Sequence, residues 1–229
     1  MRYCVSDIHG EYELFYRLLE NISFSDDDVM YICGDMIDKG KESVKLLSLI
    51  CNKKNIRCII GNHEYEFLKL YHSLMESSND NYDSVLSRLR DYFSDDGNLL
   101  TWEIIDWLDS LPLYIEEENF ICVHSGVPLS ADKKLADLAS VEAEYLVYDR
   151  KFKDPESFHT SPKCVLFGHT QTNFICGESK ILAYRRNANA PIECIGDLYK
   201  VHLDTGTWSN GVLGCFCIDT CKATYVKKS

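Results

Sequence analysis

Apolar and polar positions change period in a regular way along the first sixty residues. Three short apolar runs, Tyr3 to Val5, Val29 to Cys33 and Ile56 to Ile60, each end in a polar loop. After the first loop Leu14, Phe15, Leu18, Leu19 and Ile22 recur at helical spacing, and after the second Val44, Leu46, Leu47 and Ile50 do. Short runs bounded by turn residues predict buried strands, and the i, i+4, i+8 stripes predict amphipathic helices. Strand, polar loop, helix, taken three times, is the pattern of βαβ units on a parallel sheet. From Tyr65 the period is helical only. Phe67, Leu68, Tyr71, Leu74 and Met75 form one stripe, and Tyr82, Val85, Leu86, Leu89, Tyr92 and Phe93 a second. Ser77 to Asn81 is the loop between them, and a third helix is predicted over Leu99 to Leu108. Such spacing is what burial alone demands, so residues 65–111 read as a helical insertion that roofs the site.

Past Pro112 the strand signal returns at Leu113 to Ile115, Phe120 to Val123 and Cys164 to Phe167. The last third alternates over Lys180 to Tyr184, Leu198 to Leu203, Val212 to Ile218 and Ala223 to Val226, with Asp219-Thr220 as a hairpin turn. A second, mainly antiparallel sheet is predicted there. The expected fold is a mixed α/β, two-sheet sandwich flanked by helices. With no linker or repeat in view, residues 1–229 are expected to form one domain.

Composition narrows the function. At 229 residues, 45% apolar, the chain is long enough for a sizeable core. Asp and Glu outnumber Lys and Arg 36 to 24, a formal charge of −12. That balance argues against nonspecific nucleic-acid binding, which needs clustered cations. It also repels a phosphorylated ligand unless metal ions invert the local field, so bound cations are predicted. No apolar run approaches the ~18 residues of a membrane span, and no basic-then-apolar leader precedes Asp7; a cytoplasmic location is expected. The eleven cysteines are odd in number and include no C-x-x-C pair. Cys4, Cys33, Cys58 and Cys122 lie inside apolar runs, where free thiols behave as small hydrophobes.

The chemistry gathers at strand ends. Five apolar strands run into Asp7/His9, Asp35/Asp38, Asn62/His63, His124 and His169, and a parallel or mixed sheet would collect these at one edge. Carboxylates, imidazoles and an amide oxygen suit divalent manganese, iron or zinc, while the lack of cysteine in these loops argues against a structural zinc site. A lone histidine after a strand is more often a satisfied structural residue; the ordered set of five is what outweighs that reading.

These residues resemble the phosphoprotein phosphatases within the calcineurin-like metallophosphoesterases. Ser6-Asp7-Ile8-His9-Gly10 is similar to the first motif, Gly34 to Gly40 to the second, and Gly61 to Glu64 to the third. His124-Ser125-Gly126 and Gly168-His169-Thr170 resemble the fourth and fifth, in the form seen in bacterial and phage lambda-type members. The resemblance implies two divalent ions, with manganese favoured and iron, zinc or magnesium as alternatives. Asp7, His9 and Asp35 would hold one ion; Asp35, Asn62, His124 and His169 the other. It further implies a metal-bridging hydroxide as nucleophile, His63 as proton donor to the leaving group, and Asp38 as its orienter. Lys39 stands where the family carries arginine, and offers charge without a bidentate fork. Arg150 would be the remaining phosphate contact. Ser125 and Gln171 depart from the usual glycine and proline.

The leading expectation is a serine/threonine protein phosphatase acting on phosphoproteins. The alternative is hydrolysis of diadenosine tetraphosphate or a related dinucleotide; a non-catalytic metal-binding module and a thiol redox protein are further readings. The other histidines carry bland readings: His72 solvated on a helix, His159 in a polar loop, and His202 packed in a strand.

Overall fold

The computed structural model describes residues 1–76, 82–90 and 100–228. β1 (Arg2–Val5), α1 (Tyr12–Asn21), β2 (Val29–Ile32), α2 (Ser43–Cys51) and β3 (Ile56–Cys58) follow one another as the alternation of periods predicts. β1 pairs with β2, and β2 with β3, all parallel. α1 buries Leu14, Phe15, Leu18 and Leu19, and α2 buries Val44, Leu46, Leu47 and Ile50. Both helices cover one face of this sheet, and their stripes join Val5, Met30 and Ile32 in a common core.

Three helices precede the next strand: α3 (Asn62–Glu76), α4 (Tyr82–Arg90) and α5 (Trp102–Asp109). α3 starts three residues before the predicted Tyr65, so Asn62 and His63 sit in its first turn. Glu64 in that turn complements the positive end of the helix dipole. Phe67 and Leu68 are buried against the first sheet's core, as are Ile104, Ile105 and Leu108 of α5. The loop predicted at Ser77 to Asn81, and Tyr92, Phe93 and Leu99, lie outside the described residues, as do the side chains of Tyr82, Val85 and Leu89.

The second sheet begins with β4 (Tyr114–Glu116) and β5 (Phe120–Val123), continues after α6 (Ala143–Tyr148) with β6 (Cys164–Phe167), and after α7 (Asn173–Cys176) takes in β7 (Leu182–Arg185) and β8 (Leu198–His202). After α8 (Thr207–Asn210), β9 (Val212–Cys217) and β10 (Lys222–Lys227) form a hairpin. The strand orders are β10-β9-β1-β2-β3 and β4-β5-β6-β8-β7.

Two expectations about the sheets are corrected. The second sheet is not mainly antiparallel: β5, β6 and β8 run parallel at its centre, with β4 and β7 antiparallel at its edges. The closing hairpin belongs instead to the first sheet, where β9 pairs antiparallel with β1. Alternation along a strand says which face is buried but not which strand lies beside it. The two sheets meet through Cys4, Tyr31, Cys33, Phe120, Cys122, Leu166, Val201 and Phe216, giving the sandwich its apolar centre. The parallel strands of both sheets thereby deliver their C-terminal loops to one edge. Among the described residues, no helix is long and apolar enough to cross a membrane.

Candidate active site

Each site loop begins where a buried strand stops. Asp7 follows β1, Asp35 follows β2, Asn62 opens the helix after β3, His124 follows β5, and His169 follows β6. Of the nine non-glycine residues with positive φ among the described residues, six are Asp7, His9, Asp35, Asp38, Lys39 and His169. Left-handed backbone at bulky residues is costly and persists where surrounding structure over-determines it. Neighbouring loops brace one another: the amides of Asp7, His9 and Gly10 donate to the carbonyls of Gly34, Asp35 and Met36. Two glycines allow close approach to the site carboxylates. A Cβ on Gly61 would sit 2.4 Å from the Asp35 amide nitrogen and 2.2 Å from its Oδ1, and one on Gly168 would meet the Asp7 carboxylate at 2.1 Å.

Asp35 lies at the middle. Its Oδ2 is 3.6 Å from His9 Nε2 and 3.8 Å from His63 Nε2, while Oδ1 is 3.5 Å from His124 Nε2. Two groups of ligand-type atoms share it, His9/Asp35/His63 and Asp35/His124/His169, each with its atoms within 4.8 Å of one another. Asn62 Oδ1 lies 3.0 Å from His124 Nε2 and 2.9 Å from His169 Nδ1. Asp7 borders the second group, its Oδ2 accepting the His169 amide at 3.0 Å and the Ser6 hydroxyl. The six sequence-predicted ligand residues are thus brought together, and His63 stands among them.

Charge in this site follows burial and neighbours. Burial, reinforced by the Asp35 charge, pushes the Asp7 carboxyl up to about 6. Burial opposes ionisation of Asp35 too, but the imidazoles of His124, His63 and His9 hold it well below the ordinary carboxylate range. Burial lowers His9 to about 4 and His169 to about 3, leaving neutral rings with lone pairs to offer. His9 Nδ1 faces the Ile37 carbonyl at 3.0 Å and His124 Nδ1 the Cys33 carbonyl at 2.8 Å, which aims both Nε2 atoms at Asp35. His169 Nε2 is buried without a hydrogen-bond partner. At the other ring nitrogen, Nδ1 faces the Asn62 amide oxygen at 2.9 Å inside the cluster with Asp35 and His124, and an imidazole nitrogen beside an amide oxygen and an ionised carboxylate fits divalent cations.

His63 Nδ1 lies 2.6 Å from Asp38 Oδ2. Burial opposes the charged ring, yet the Asp38 hydrogen bond and the Asp35 charge raise the His63 pKa overall. Lys39 Nζ is 3.1 Å from His9 Nε2. Arg150, exposed just beyond α6, makes no such direct contact among the described residues, though its charge is felt at His169.

Sequence reasoning missed two buried carboxyls. Glu64, fully buried, accepts the backbone amides of Asp35 (2.8 Å), Met36 (2.7 Å), Ile37 (3.0 Å) and Gly61 (2.8 Å), fastening the second motif loop to the third. The available signal was a Glu three residues after Gly61, the spacing at which a side chain reaches back to orphan amides. Asp204, also buried, has its pKa pushed up by burial and by the Asp7 charge. His159 lies in a loop as expected, yet it is fully buried, its Nε2 2.6 Å from the Tyr199 carbonyl. His72 is half exposed beside Asp109, and His202 is buried in a ring stack with Phe167.

The model of the calcineurin-like phosphoesterase family matches residues 3–198. The chain belongs to this family. The symmetrical bis(5'-nucleosyl)-tetraphosphatase of Buchnera aphidicola subsp. Schizaphis graminum is 31% identical over 146 residues, 62% of this chain and 50% of the relative. That of Wigglesworthia glossinidia brevipalpis is 33% identical over 130 residues, 55% of this chain and 44% of the relative. The chain therefore spans about half the length of these curated relatives. A crystal structure described as a candidate diadenosine tetraphosphatase superposes with a TM-score of 0.69 at 18% identity, covering 99% of this chain and 92% of that one. At that identity the likeness is one of fold.

These relatives correct the leading expectation. They carry the name of dinucleoside tetraphosphatases, and the serine/threonine protein phosphatase reading finds no support among them. The physical reason is that the five motifs describe what surrounds phosphorus. Chemistry at phosphorus is common to both substrate classes, so residues that serve it do not distinguish the two leaving groups.

Proposed function

We propose that the protein is a metal-dependent hydrolase of dinucleoside polyphosphates, with diadenosine tetraphosphate as the representative substrate. The names of the curated relatives support the dinucleotide part of this reading, and one observation supports the metal-dependent part: Asp35 turns its two oxygens toward two separate imidazole groups, His9 and His63 on one side and His124 on the other. Asp7, His9 and Asp35 would hold one divalent ion; Asp35, Asn62, His124 and His169 would hold a second, with manganese the first choice. Bound there, the ions supply Lewis acidity toward the phosphoryl group and a lowered pKa for water.

The chain's own residues supply the rest. His63, charged and tethered through Nδ1 to Asp38, presents Nε2–H to the oxygen of the P–O–P bridge and protonates it as the bond breaks. Water contributes the new P–O bond, so cleavage at the central bridge gives two nucleoside diphosphates. Lys39 offers its ammonium to a phosphate oxygen and Arg150 adds charge at the rim, both needed in a chain of net charge −12. His63 and Asp38 are not among the assigned ligands, which favours an enzyme over a non-catalytic metal-binding module.

The test is purified protein with manganese on diadenosine tetraphosphate beside a phosphoserine peptide. Two ADP per substrate, with 18O from labelled water in one of them, is the expected result. An inert dinucleotide would remove the proposal.

A further inference from the structure

A groove of about 430 Å³ opens beside the candidate site, lined by Gly10, Glu11, Lys39, Lys41, Glu42 and Trp208 among others. It is continuous with the site through Lys39, which forms part of its wall and whose Nζ lies 3.1 Å from His9 Nε2. We infer that this groove is a nucleoside subsite, in which a base stacks on the indole of Trp208 while its phosphates run past Lys39 toward the Asp35 cluster. The inference rests on the dinucleoside polyphosphate reading and deepens it.

Trp208 is presented rather than merely left over. It sits on α8, a single helical turn between Gly206 and Gly211, both in left-handed backbone (φ 77° and 64°). The roots of that turn are buried: Asp204, Thr205 and Thr207 are each 3% exposed or less. Thr205 Oγ1 donates to the Val212 carbonyl at 2.7 Å and accepts the Gly214 amide at 3.0 Å, locking the turn to β9. Asp204 Oδ1 accepts the Gly206 amide at 2.9 Å. On this anchored pedestal Trp208 is 48% exposed. A single exposed aromatic is unremarkable on most surfaces; one that faces a groove joined to a phosphate-handling site is placed for stacking.

The groove's charges sort the ligand's parts. Lys39 and Lys41 suit the polyphosphate. Lys228 is held by Glu11 at 3.0 Å, and Glu42 holds Lys45 at 2.8 Å. The carboxylates of Glu11 and Glu42 make the remaining lining a poor host for another anion. They suit an uncharged base and ribose, whose amino and hydroxyl groups are donors. Its volume falls within the usual range for small-molecule sites, roughly 300–1,000 Å³.

Binding of ADP and of inorganic pyrophosphate to the manganese-loaded protein, measured by calorimetry, separates the stacking contribution from the phosphate contribution. Base–aromatic stacking of ~1–3 kcal/mol corresponds to a loss of roughly 5- to 150-fold. Trp208→Ala is expected to weaken ADP by an amount in that range and pyrophosphate by less than about twofold, whereas Trp208→Phe, which keeps a ring, retains most of the ADP affinity. Melting temperatures of both variants within a few degrees of wild type exclude a folding defect. Equal loss of ADP and pyrophosphate affinity in Trp208→Ala, or no loss of either, overturns the subsite. Failure of the wild-type protein to cleave diadenosine tetraphosphate overturns the proposed function. Tryptophan-independent ADP binding by a protein that does cleave it overturns the subsite alone.

Discussion

Asp38 Oδ2 and His63 Nδ1 are 2.6 Å apart, one residue from the loop after β2 and the other from the first turn of α3. The pair fixes which ring nitrogen faces Asp35 and raises the His63 pKa against the cost of burial. General acid–base groups contribute about 10²–10⁴-fold, so His63→Asn is expected to lower kcat by that factor. Asp38→Asn is expected to lose about 10- to 100-fold. Metal content, measured by elemental analysis, should stay at the wild-type level in both. A turnover number unchanged in His63→Asn would remove the proton-donor role.

Glu64 makes a prediction about architecture rather than chemistry. Its carboxylate accepts four backbone amides from two loops, in full burial. Removing one side of a buried charge-assisted network costs about 3–5 kcal/mol. Glu64→Ala should lower the urea midpoint accordingly, and Glu64→Gln should also destabilise, because the amide nitrogen turns a donor toward donors. Metal affinity should fall with stability in both variants. A variant as stable as wild type would show that the amides find water instead.

The contrast between Asp35 and Glu64 shows what the chain discloses before folding. Asp35 is legible because it ends an apolar strand with a glycine, and that switch of period marks a loop at the sheet edge. Glu64 is one acidic residue among several in a helix, and three of its four amide partners, on Asp35, Met36 and Ile37, lie 27 to 29 residues away in sequence. The β9–β10 hairpin was legible as a hairpin, while its place beside β1 depends on a pairing more than 200 residues apart. His159 reads as a loop residue because its neighbours are polar, and only the Tyr199 carbonyl and the Phe152 ring explain its burial. The substrate class was not legible because the motif residues serve chemistry at phosphorus that both candidate substrate classes share.

Lys39 offers a test of phosphate grip. Its Nζ reaches His9 Nε2 at 3.1 Å, which puts its charge beside a proposed metal ligand. Hydrogen bonds to charged groups are worth about 1.5–3 kcal/mol, so Lys39→Ala should raise KM for the dinucleotide roughly 10- to 100-fold. Lys39→Arg restores the charge and adds a planar fork, and is expected to recover wild-type KM or better. Steady-state kinetics on the two variants checks both directions. No change in Lys39→Ala would place the phosphate elsewhere.

Removal of divalent ions should act on stability as well as turnover. Asp7 and Asp35 are both buried, and the Asp35 charge disfavours ionisation of Asp7. A cation held between them relieves that repulsion. An ion at about 100 times its Kd stabilises by about 2.7 kcal/mol, so chelation is expected to abolish hydrolysis and lower the melting temperature together. Manganese should restore both. Asp35→Asn should abolish hydrolysis and blunt the manganese-dependent rise in melting temperature. A melting temperature indifferent to chelator would contradict cation binding at this cluster.

Lys200 gives the chain a pH dependence away from the site. It is fully buried, with Nζ donating to the carbonyls of Phe152 (2.7 Å) and Asp154 (2.6 Å) and lying 4.7 Å from the centre of the Tyr184 ring. Burial pushes its pKa down from 10.5 to about 7. Between those values the unfolded chain binds a proton that the folded chain has released. Stability contributed by this group therefore rises as pH increases from about 7 to 10.5, with a limiting slope of about 1.4 kcal/mol per pH unit. Lys200→Met has nothing to titrate there. Its two carbonyls lose their donor, so it should be less stable than wild type at every pH, with the gap widening from pH 7 to pH 9. Urea midpoints at half-unit intervals read this directly, and parallel curves for the two proteins would show that Lys200 keeps its proton across the range.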